Sequence, residues 1–279
     1  PPSPLPPGSP CAANTPTGPT SPAVTNPATA TACRPPSPPL HTFKDAAQFP
    51  ESVDHDPVTD TIFTGNLKTG DVLQLAPLGQ ETIFVPGQAP FITLGVRADA
   101  LHHDAVAYVT DRENPNVYKL DLMAKTVSIF AQDDDLLDSS GVGTNGIAVT
   151  PEGTHLVITN YLPSRMMVVA IDNPQQVHKI DLDGDLFHEV LGGADGIRFV
   201  DNTLYVVFPS KLARLSATDS SWREARVQMT NIPDNGGMSG LTLIGRDLHM
   251  SNGQVATYLL GRDPNPFVLQ RFDWSLLNR

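Results

Sequence analysis

The feature that most constrains this chain is a short β motif that returns five times after residue 49. Each copy opens on a small step: Glu51-Ser52-Val53-Asp54, Leu94-Gly95-Val96-Arg97, Asn145-Gly146-Ile147-Ala148, Asp195-Gly196-Ile197-Arg198 and Ser239-Gly240-Leu241-Thr242. The openings lie 43, 51, 50 and 44 residues apart. A β-rich run follows in every unit: 61–64, 107–110, 156–159, 204–207 and 248–251. Further strands complete most units, as at 117–120 and 126–130, and turn residues such as Pro151-Glu152-Gly153 and Asp201-Asn202 separate them. Short strands at this repeat length predict the four-stranded blades of a β-propeller. A parallel α/β arrangement needs amphipathic helices of ~10–15 residues between strands, and the connections here read as turns. The expected fold is all-β, a propeller of five blades over residues 40–279. The last unit has 40 residues after Ser239, enough for four strands. Leu40-His41-Thr42-Phe43 either supplies a strand that closes the ring or belongs to a sixth blade.

Residues 1–39 differ in kind. Residues 1–40 hold 14 of the 27 prolines, and Arg34 is their one charged residue. Such a stretch cannot bury enough apolar surface to fold alone, so it reads as an irregular, polyproline-like arm. Both cysteines, Cys11 and Cys33, lie in it. Their pairing would close a short loop and points to an oxidising compartment. Two free thiols in a tail are the alternative. The chain begins at Pro1, in keeping with an export signal removed upstream, so a secreted or periplasmic location is expected. The net charge of -12 argues against nucleic acid and anionic membranes as partners. No apolar run approaches the ~20 residues of a bilayer span.

In a propeller the first strand of each blade lines the central channel, so equivalent residues there face one spot. Here these are Glu51, Leu94, Asn145, Asp195 and Ser239. Two carboxylates and one amide carbonyl converging on an axis form a hard oxygen set of the kind calcium takes, with water completing the shell. Zinc is disfavoured, because these positions hold neither Cys nor His. Singly, Asn-Gly and Asp-Gly are ordinary turn dipeptides; their repetition in register with β-rich strands favours the axial reading.

Phe49-Pro50-Glu51-Ser52-Val53-Asp54-His55-Asp56-Pro57, residues 144–153 and Ala194-Asp195-Gly196-Ile197-Arg198-Phe199 together resemble the SMP-30/gluconolactonase/LRE-like family of calcium-dependent β-propellers, itself similar to strictosidine synthase-like and paraoxonase-like propellers. The resemblance spans roughly residues 40 to 275. It implies Glu51, Asn145 and Asp195 as calcium ligands and Asp195 also as the base. It implies hydrolysis of lactones or related esters. Two departures stand out. The family norm is six blades. The family's sugar-lactone members carry an Arg and an Asn before an Asp-Gly step, where this chain has Phe91-Ile92-Thr93-Leu94-Gly95, with Arg97 two residues further on. A substrate less polar than a sugar acid is therefore expected.

Remaining candidates are weaker. Thr93, Arg97 and Ser239, with Asp111, Asn160 and Asn252 at the ends of second strands, are candidate substrate contacts or plain turn formers. His102-His103-Asp104 reads as an exposed turn, Asp133-Asp134-Asp135 with Asp138 as a solvated acidic loop, and Asp181-Leu182-Asp183-Gly184-Asp185 as a hairpin turn without the ligand spacing of a calcium loop. The expected function is a calcium-dependent hydrolase acting on a small lactone or ester. The alternative is a non-catalytic propeller that uses calcium structurally and binds a protein partner. Pairing of Cys11 with Cys33 predicts a mass two hydrogens below that of the reduced chain; alkylation of both thiols without prior reduction would refute it.

Overall fold

Both faces of the inner strands are apolar, and this decides the architecture. In the strand His155–Asn160, Leu156 and Ile158 turn to one apolar cluster and Val157 turns to another. Its neighbour Arg165–Ala170 divides in the same way, Met167 and Val169 against Met166 and Val168. A strand with two-residue side-chain alternation and two greasy faces must be sandwiched on both sides. Sheets that each need two covered faces are satisfied when they stand radially around a ring.

The computed structural model describes residues 39–44, 49–76, 79–87, 93–98 (backbone only), 106–137, 143–161, 164–184, 193–208, 211–232, 237–254, 257–258 and 260–272. After β1 (His41–Thr42), blade 1 runs β2 (Asp54–Asp56), β3 (Thr61–Gly65), β4 (Val72–Leu75) and β5 (Glu81–Val85). Blade 2 is β6 (Thr93–Ala98), β7 (Val106–Asp111), β8 (Asn116–Asp121) and β9 (Thr126–Gln132). Blade 3 is β10 (Thr144–Val149), β11 (His155–Asn160), β12 (Arg165–Ala170) and β13 (Val177–Lys179). After β14 (Asp181–Asp183), blade 4 is β15 (Ile197–Val200), β16 (Thr203–Val207), β17 (Lys211–Ala217) and β18 (Glu224–Asn231). Blade 5 is β19 (Gly240–Ile244), β20 (Asp247–Ser251) and β21 (Val268–Arg271). Within each blade successive strands pair antiparallel. The fold is an all-β propeller.

Among the described residues, five apolar clusters fill five blade interfaces. Phe63 and Phe84 meet Val109 and Leu120 between blades 1 and 2. Leu136 meets Ile158 between blades 2 and 3, and Val157 meets Phe199 and Trp222 between blades 3 and 4. Val207 and Ile232 meet Leu248 and Phe272 between blades 4 and 5. Phe43, Phe267 and Leu269 meet Val53 and Ile62 between blades 5 and 1. Burying each such side chain contributes about 1.5–3 kcal/mol against the unfolded chain. Because blade 5 packs directly on blade 1, the ring closes at five, and His41-Thr42 belongs to no sixth blade. It pairs antiparallel with β21 and supplies the fourth strand of blade 5. Of the two readings of Leu40–Phe43, the strand that closes the ring is the one observed, and the described part of the segment after Ser239 provides three strands.

A correction concerns Asp181–Asp183. These residues are not a hairpin turn but β14, which pairs parallel with β18 at the edge of blade 4. The reason is that β18 is long and leaves its outer backbone open, and the segment leaving blade 3 runs along it. The acidic run at 133–135 caps a single 3-10 turn, with Asp133 Oδ1 accepting from Asp135 N–H at 2.9 Å while Leu136 is buried. His102, His103, Asp104 and Asp138 lie outside the described residues, as do Cys11 and Cys33.

The closing strand is held by Leu40 N–H to Leu269 O at 2.7 Å, by Phe43 N–H to Phe267 O at 3.0 Å, and by His41 Nε2 against Glu81 Oε1 of blade 1 at 2.8 Å. Deleting residues 1–36 is expected to leave cooperative unfolding intact. Deleting residues 1–43 also removes β1 and the buried Phe43, and loss of such an aromatic costs about 3–5 kcal/mol. Thermal unfolding of both truncations checks this: equal melting temperatures would show that β1 does not close the ring.

Candidate functional site

The step residues sit where the inner strands crowd the axis. A β-carbon on Gly196 would lie 2.1 Å from Ser239 O, and one on Gly146 would lie 2.4 Å from Asp195 O. Only glycine allows backbones so close. The Asn-Gly and Asp-Gly pairs are therefore not turns here but the contact points between neighbouring blades. Asn145 lies within β10, whereas Glu51, Asp195 and Ser239 lie just ahead of their strands. Each of these three still donates one ladder bond: Glu51 N–H to Gly65 O, Asp195 N–H to Val207 O and Ser239 N–H to Ser251 O, at 2.9–3.1 Å.

Hydroxyls tie these backbones together. Thr110 Oγ1 of blade 2 donates to Asn145 O. Thr159 Oγ1 of blade 3 donates to Asp195 O at 3.2 Å, and Ser239 Oγ of blade 5 donates to Glu51 O at 2.6 Å. Each of the three polar step residues thus has its carbonyl fixed by the preceding blade. Their side chains are buried, at 1%, 2% and 5% exposure for Glu51, Asn145 and Asp195. Glu51 Oε1 and Oε2, Asn145 Oδ1 and Asp195 Oδ1 are all buried without a hydrogen-bond partner. Buried polar oxygens are normally satisfied, and each orphan costs about 1–3 kcal/mol.

Electrostatics agree with that geometry. Burial and then the neighbouring Asp195 charge push the Glu51 carboxyl well above the usual range. Burial pushes Asp195 up to about 6, with polar contacts from Glu51, Asn145 and the Gly196 N–H offsetting part of the rise. Burial and mutual proximity hold both carboxyls against ionisation, a cost that a bound cation would offset. Among the described residues no three His, Cys, Asp or Glu side chains converge; the set is two carboxylates and an amide oxygen. That is a hard oxygen set that suits calcium, with water supplying its remaining ligands.

Tyr161 was not visible from sequence. It follows Asn160 at the end of β11, and its phenol is pushed up to about 12 by burial and then by the Asp195 and Glu51 charges. The available signal was the rim position at second-strand ends, read one residue too early. A deeper layer was also missed. Asp54, Arg198 and Thr242 each stand three residues beyond a step residue. Arg198 Nη1 meets Asp54 Oδ1 at 2.5 Å, and Thr242 Oγ1 donates to the same oxygen at 3.1 Å. The signal there was the constant offset across the repeats.

The remaining candidates are placed as follows. Asp111 is fully buried and accepts from Glu113 N–H and from Asn114 Nδ2, both at 2.8 Å. Asn160 Nδ2 donates to Leu136 O at 3.1 Å. Asn252 joins Pro266 O and Val268 N–H across a loop. Ser239 is the Glu51 clamp, also accepting from Gly253 N–H at 2.8 Å. All four are engaged in the framework, and Asn160 Oδ1 is buried without a hydrogen-bond partner. Thr93 and Arg97 lie in β6, opposite Asp111 and Tyr108.

No family model matches the chain, and no curated protein matches it in sequence. Solved structures do resemble it. The major Malassezia sympodialis allergen Mala s 1 superposes with a TM-score of 0.56 at 13% identity, covering 84% of this chain and 95% of that one. Myxococcus xanthus glutaminyl cyclase gives 0.51 at 10% identity, covering 84% and 97%. A calcium-binding regucalcin from Agrobacterium tumefaciens gives 0.46 at 13% identity, covering 83% and 93%, too loose an overlap to transfer its ion. At these identities the likeness establishes the fold alone.

The raised carboxyls fix a sign for pH dependence. Without an ion, the folded state binds more protons than the unfolded state between about pH 4, near the unfolded carboxylate value, and the raised folded values. The penalty from this pair is absent below that window and grows as pH rises through it. His249, lowered by burial and by nearby His55 and Arg271, acts oppositely, since its forced protonation destabilises the fold on acidification. Comparing calcium with chelator at each pH cancels the His249 effect. Calcium is expected to raise the melting temperature by roughly 5–10 °C at pH 7, as for about 2.7 kcal/mol at a hundredfold excess over Kd. That gap should shrink toward pH 5. A gap that is absent, or constant with pH, would refute the cation site.

Proposed function

We propose that this chain is a calcium-dependent hydrolase of lactones or related esters. The observation that carries the reading is the group of four orphaned, buried oxygens on Glu51, Asn145 and Asp195, drawn from blades 1, 3 and 4. Calcium held there would balance the two carboxylates and polarise the substrate carbonyl as a Lewis acid. Glu51 and Asn145 hold their oxygens in place through backbone clamps and leave the chemistry to Asp195. Asp195 takes a proton from water as the water oxygen bonds to the carbonyl carbon. The acyl carbon–oxygen bond then breaks, and the proton passes from Asp195 to the departing oxygen. The apolar residues at 91 and 94 favour a substrate less polar than a sugar acid. The sequence supports a location outside the reducing cytoplasm, with Cys11 paired to Cys33.

A second reading keeps the ion and drops the chemistry. It is favoured by the framework bonds of Asp111, Ser239 and Asn252, which occupy polar groups that a substrate would otherwise use. In that case the ion pins the blades and a face of the propeller binds a protein partner.

Asp195→Asn and Glu51→Gln separate the two. Both remove one carboxylate charge, and only the first removes the base. With a panel of lactones and aryl esters at saturating calcium, Glu51→Gln should recover most activity while Asp195→Asn stays at least ~100-fold down, the usual contribution of a positioned base. Equal recovery of both variants would remove Asp195 from the chemistry. Calcium-dependent stability without hydrolysis of any ester by the unmutated chain would leave the structural-ion reading.

A further inference from the structure

We propose that Asp54, Arg198 and Thr242 form a strut between blades 1 and 4 that fixes the spacing of Glu51 and Asp195, and so makes their site prefer calcium to the smaller magnesium. This rests on the cation reading above and adds three positioning residues that act through the two carboxylates.

The strut joins the two segments that carry those carboxylates. Asp54 follows Glu51 by three residues on blade 1, and Arg198 follows Asp195 by three on blade 4. Blade 5 stands between these blades, yet Arg198 Nη1 reaches Asp54 Oδ1 at 2.5 Å. Thr242 of blade 5 completes the link. Its Oγ1 donates to the same Asp54 oxygen at 3.1 Å and accepts from His55 N–H at 2.9 Å. All three side chains are buried, so water screens these contacts little.

A second link ties the same segments at the level of the site. Ser239 O accepts from Gly196 N–H at 2.6 Å, and Ser239 Oγ donates to Glu51 O at 2.6 Å. The Glu51 and Asp195 segments are thus joined twice, through Ser239 and, three residues on, through Thr242. One link alone would act as a hinge; two hold both distance and angle. At the same offset from Asn145 stands Ala148, which packs in the apolar cluster between blades 3 and 4 and has no polar group to offer. The strut therefore serves the two segments whose side chains repel each other.

Without an ion, two buried carboxylates push their segments apart; with one, they are drawn onto it. A frame tied twice yields to neither force. Calcium takes oxygens at about 2.3–2.6 Å in loose geometry, whereas magnesium needs about 2.0–2.1 Å and near-ideal octahedral order. Carboxylates that cannot close inward favour the larger ion. The Asp54–Arg198 pair is neutral as a whole, so it acts by position and not by net charge.

Calorimetric titration of the full chain with Ca2+ and with Mg2+ tests this without any substrate. The test variant combines Asp54→Asn with Arg198→Met. It removes both charges, keeps an oxygen for Thr242 and leaves the net charge unchanged; replacing a whole buried pair is tolerated better than breaking it. It should melt cooperatively and bind calcium roughly 10–100-fold more weakly, as loss of a partner behind metal ligands does. It should also lose most of the preference for calcium over magnesium. Asp247→Asn with Arg271→Met removes an exposed pair on blade 5 and is the control, which should keep both values. An unchanged preference in the folded test variant overturns the strut, whatever its calcium affinity. If that variant does not fold, Thr242→Val decides. It keeps the ion pair and loses the hydroxyl that joins it to blade 5, and a preference equal to that of the unmutated chain overturns the proposal. An unmutated chain that binds both ions equally overturns the proposal and leaves the cation reading standing. An unmutated chain that binds no calcium overturns the cation reading itself, a separate outcome.

Discussion

Two carboxyl groups buried together, with no ion-pair partner among the described residues, are the constraint around which this structure is arranged. They lie there because five inner strands approach so closely that glycine must follow Asn145 and Asp195. The same closeness buries Glu51 and Asp195, so desolvation raises both carboxyls. Each backbone carbonyl at these positions is taken by a hydroxyl from the blade before it. One acceptor site of each carbonyl is thus taken, while the side-chain oxygens of Glu51, Asn145 Oδ1 and Asp195 Oδ1 have no hydrogen-bond partner. Removing one partner from a buried charge pair typically costs about 3–5 kcal/mol, and among the described residues neither Glu51 nor Asp195 has an ion-pair partner.

The deeper layer makes the contrast sharp. Asp54 is as buried as Glu51, yet it has Arg198 at 2.5 Å and the Thr242 hydroxyl at 3.1 Å. The fold can thus deliver an arginine to a buried carboxylate in this channel and does so three residues past the step. At the step itself it delivers an amide oxygen and a second carboxylate. Structural ion pairing and the withholding of it occur on the same strands, which argues that the withholding belongs to the site and is not a by-product of packing.

Much of the fold was legible because propeller repeats write themselves twice, once as β-rich second strands and once as glycine at the step. Thr61–Gly65, Val106–Asp111 and Asp247–Ser251 follow directly from that pattern. The grouping of Glu51, Asn145 and Asp195 was legible for the same reason, since they recur at one register. What was not legible depended on partners distant in sequence. β14 reads as a turn because nothing local reveals that β18 has an open edge. Tyr161 carries no motif, and only the fold ties its backbone, through Ser164 and Gly193, to the segment that leads into Asp195. Asp54 and Arg198 look like ordinary polar strand residues until the ring brings them together across 144 positions.

Ring closure and the site are coupled through blade 1. Glu51 enters the axis from a segment whose carbonyl is held by Ser239 of blade 5, and a β-carbon on Gly253 would strike Glu51 Cα at 2.7 Å. Blade 5 is complete only when His41 and Thr42 pair with β21, and that strand is anchored on blade 1 through Glu81. The position of Glu51 therefore depends on the same contacts that close the ring. An ion that binds only the closed arrangement stabilises closure by the free energy of its own binding, and by reciprocity whatever secures the closing strand tightens the ion. In this fold the strand His41–Thr42 and the carboxylate ten residues after His41 act on one equilibrium, although they stand on opposite edges of the blade 5–blade 1 interface.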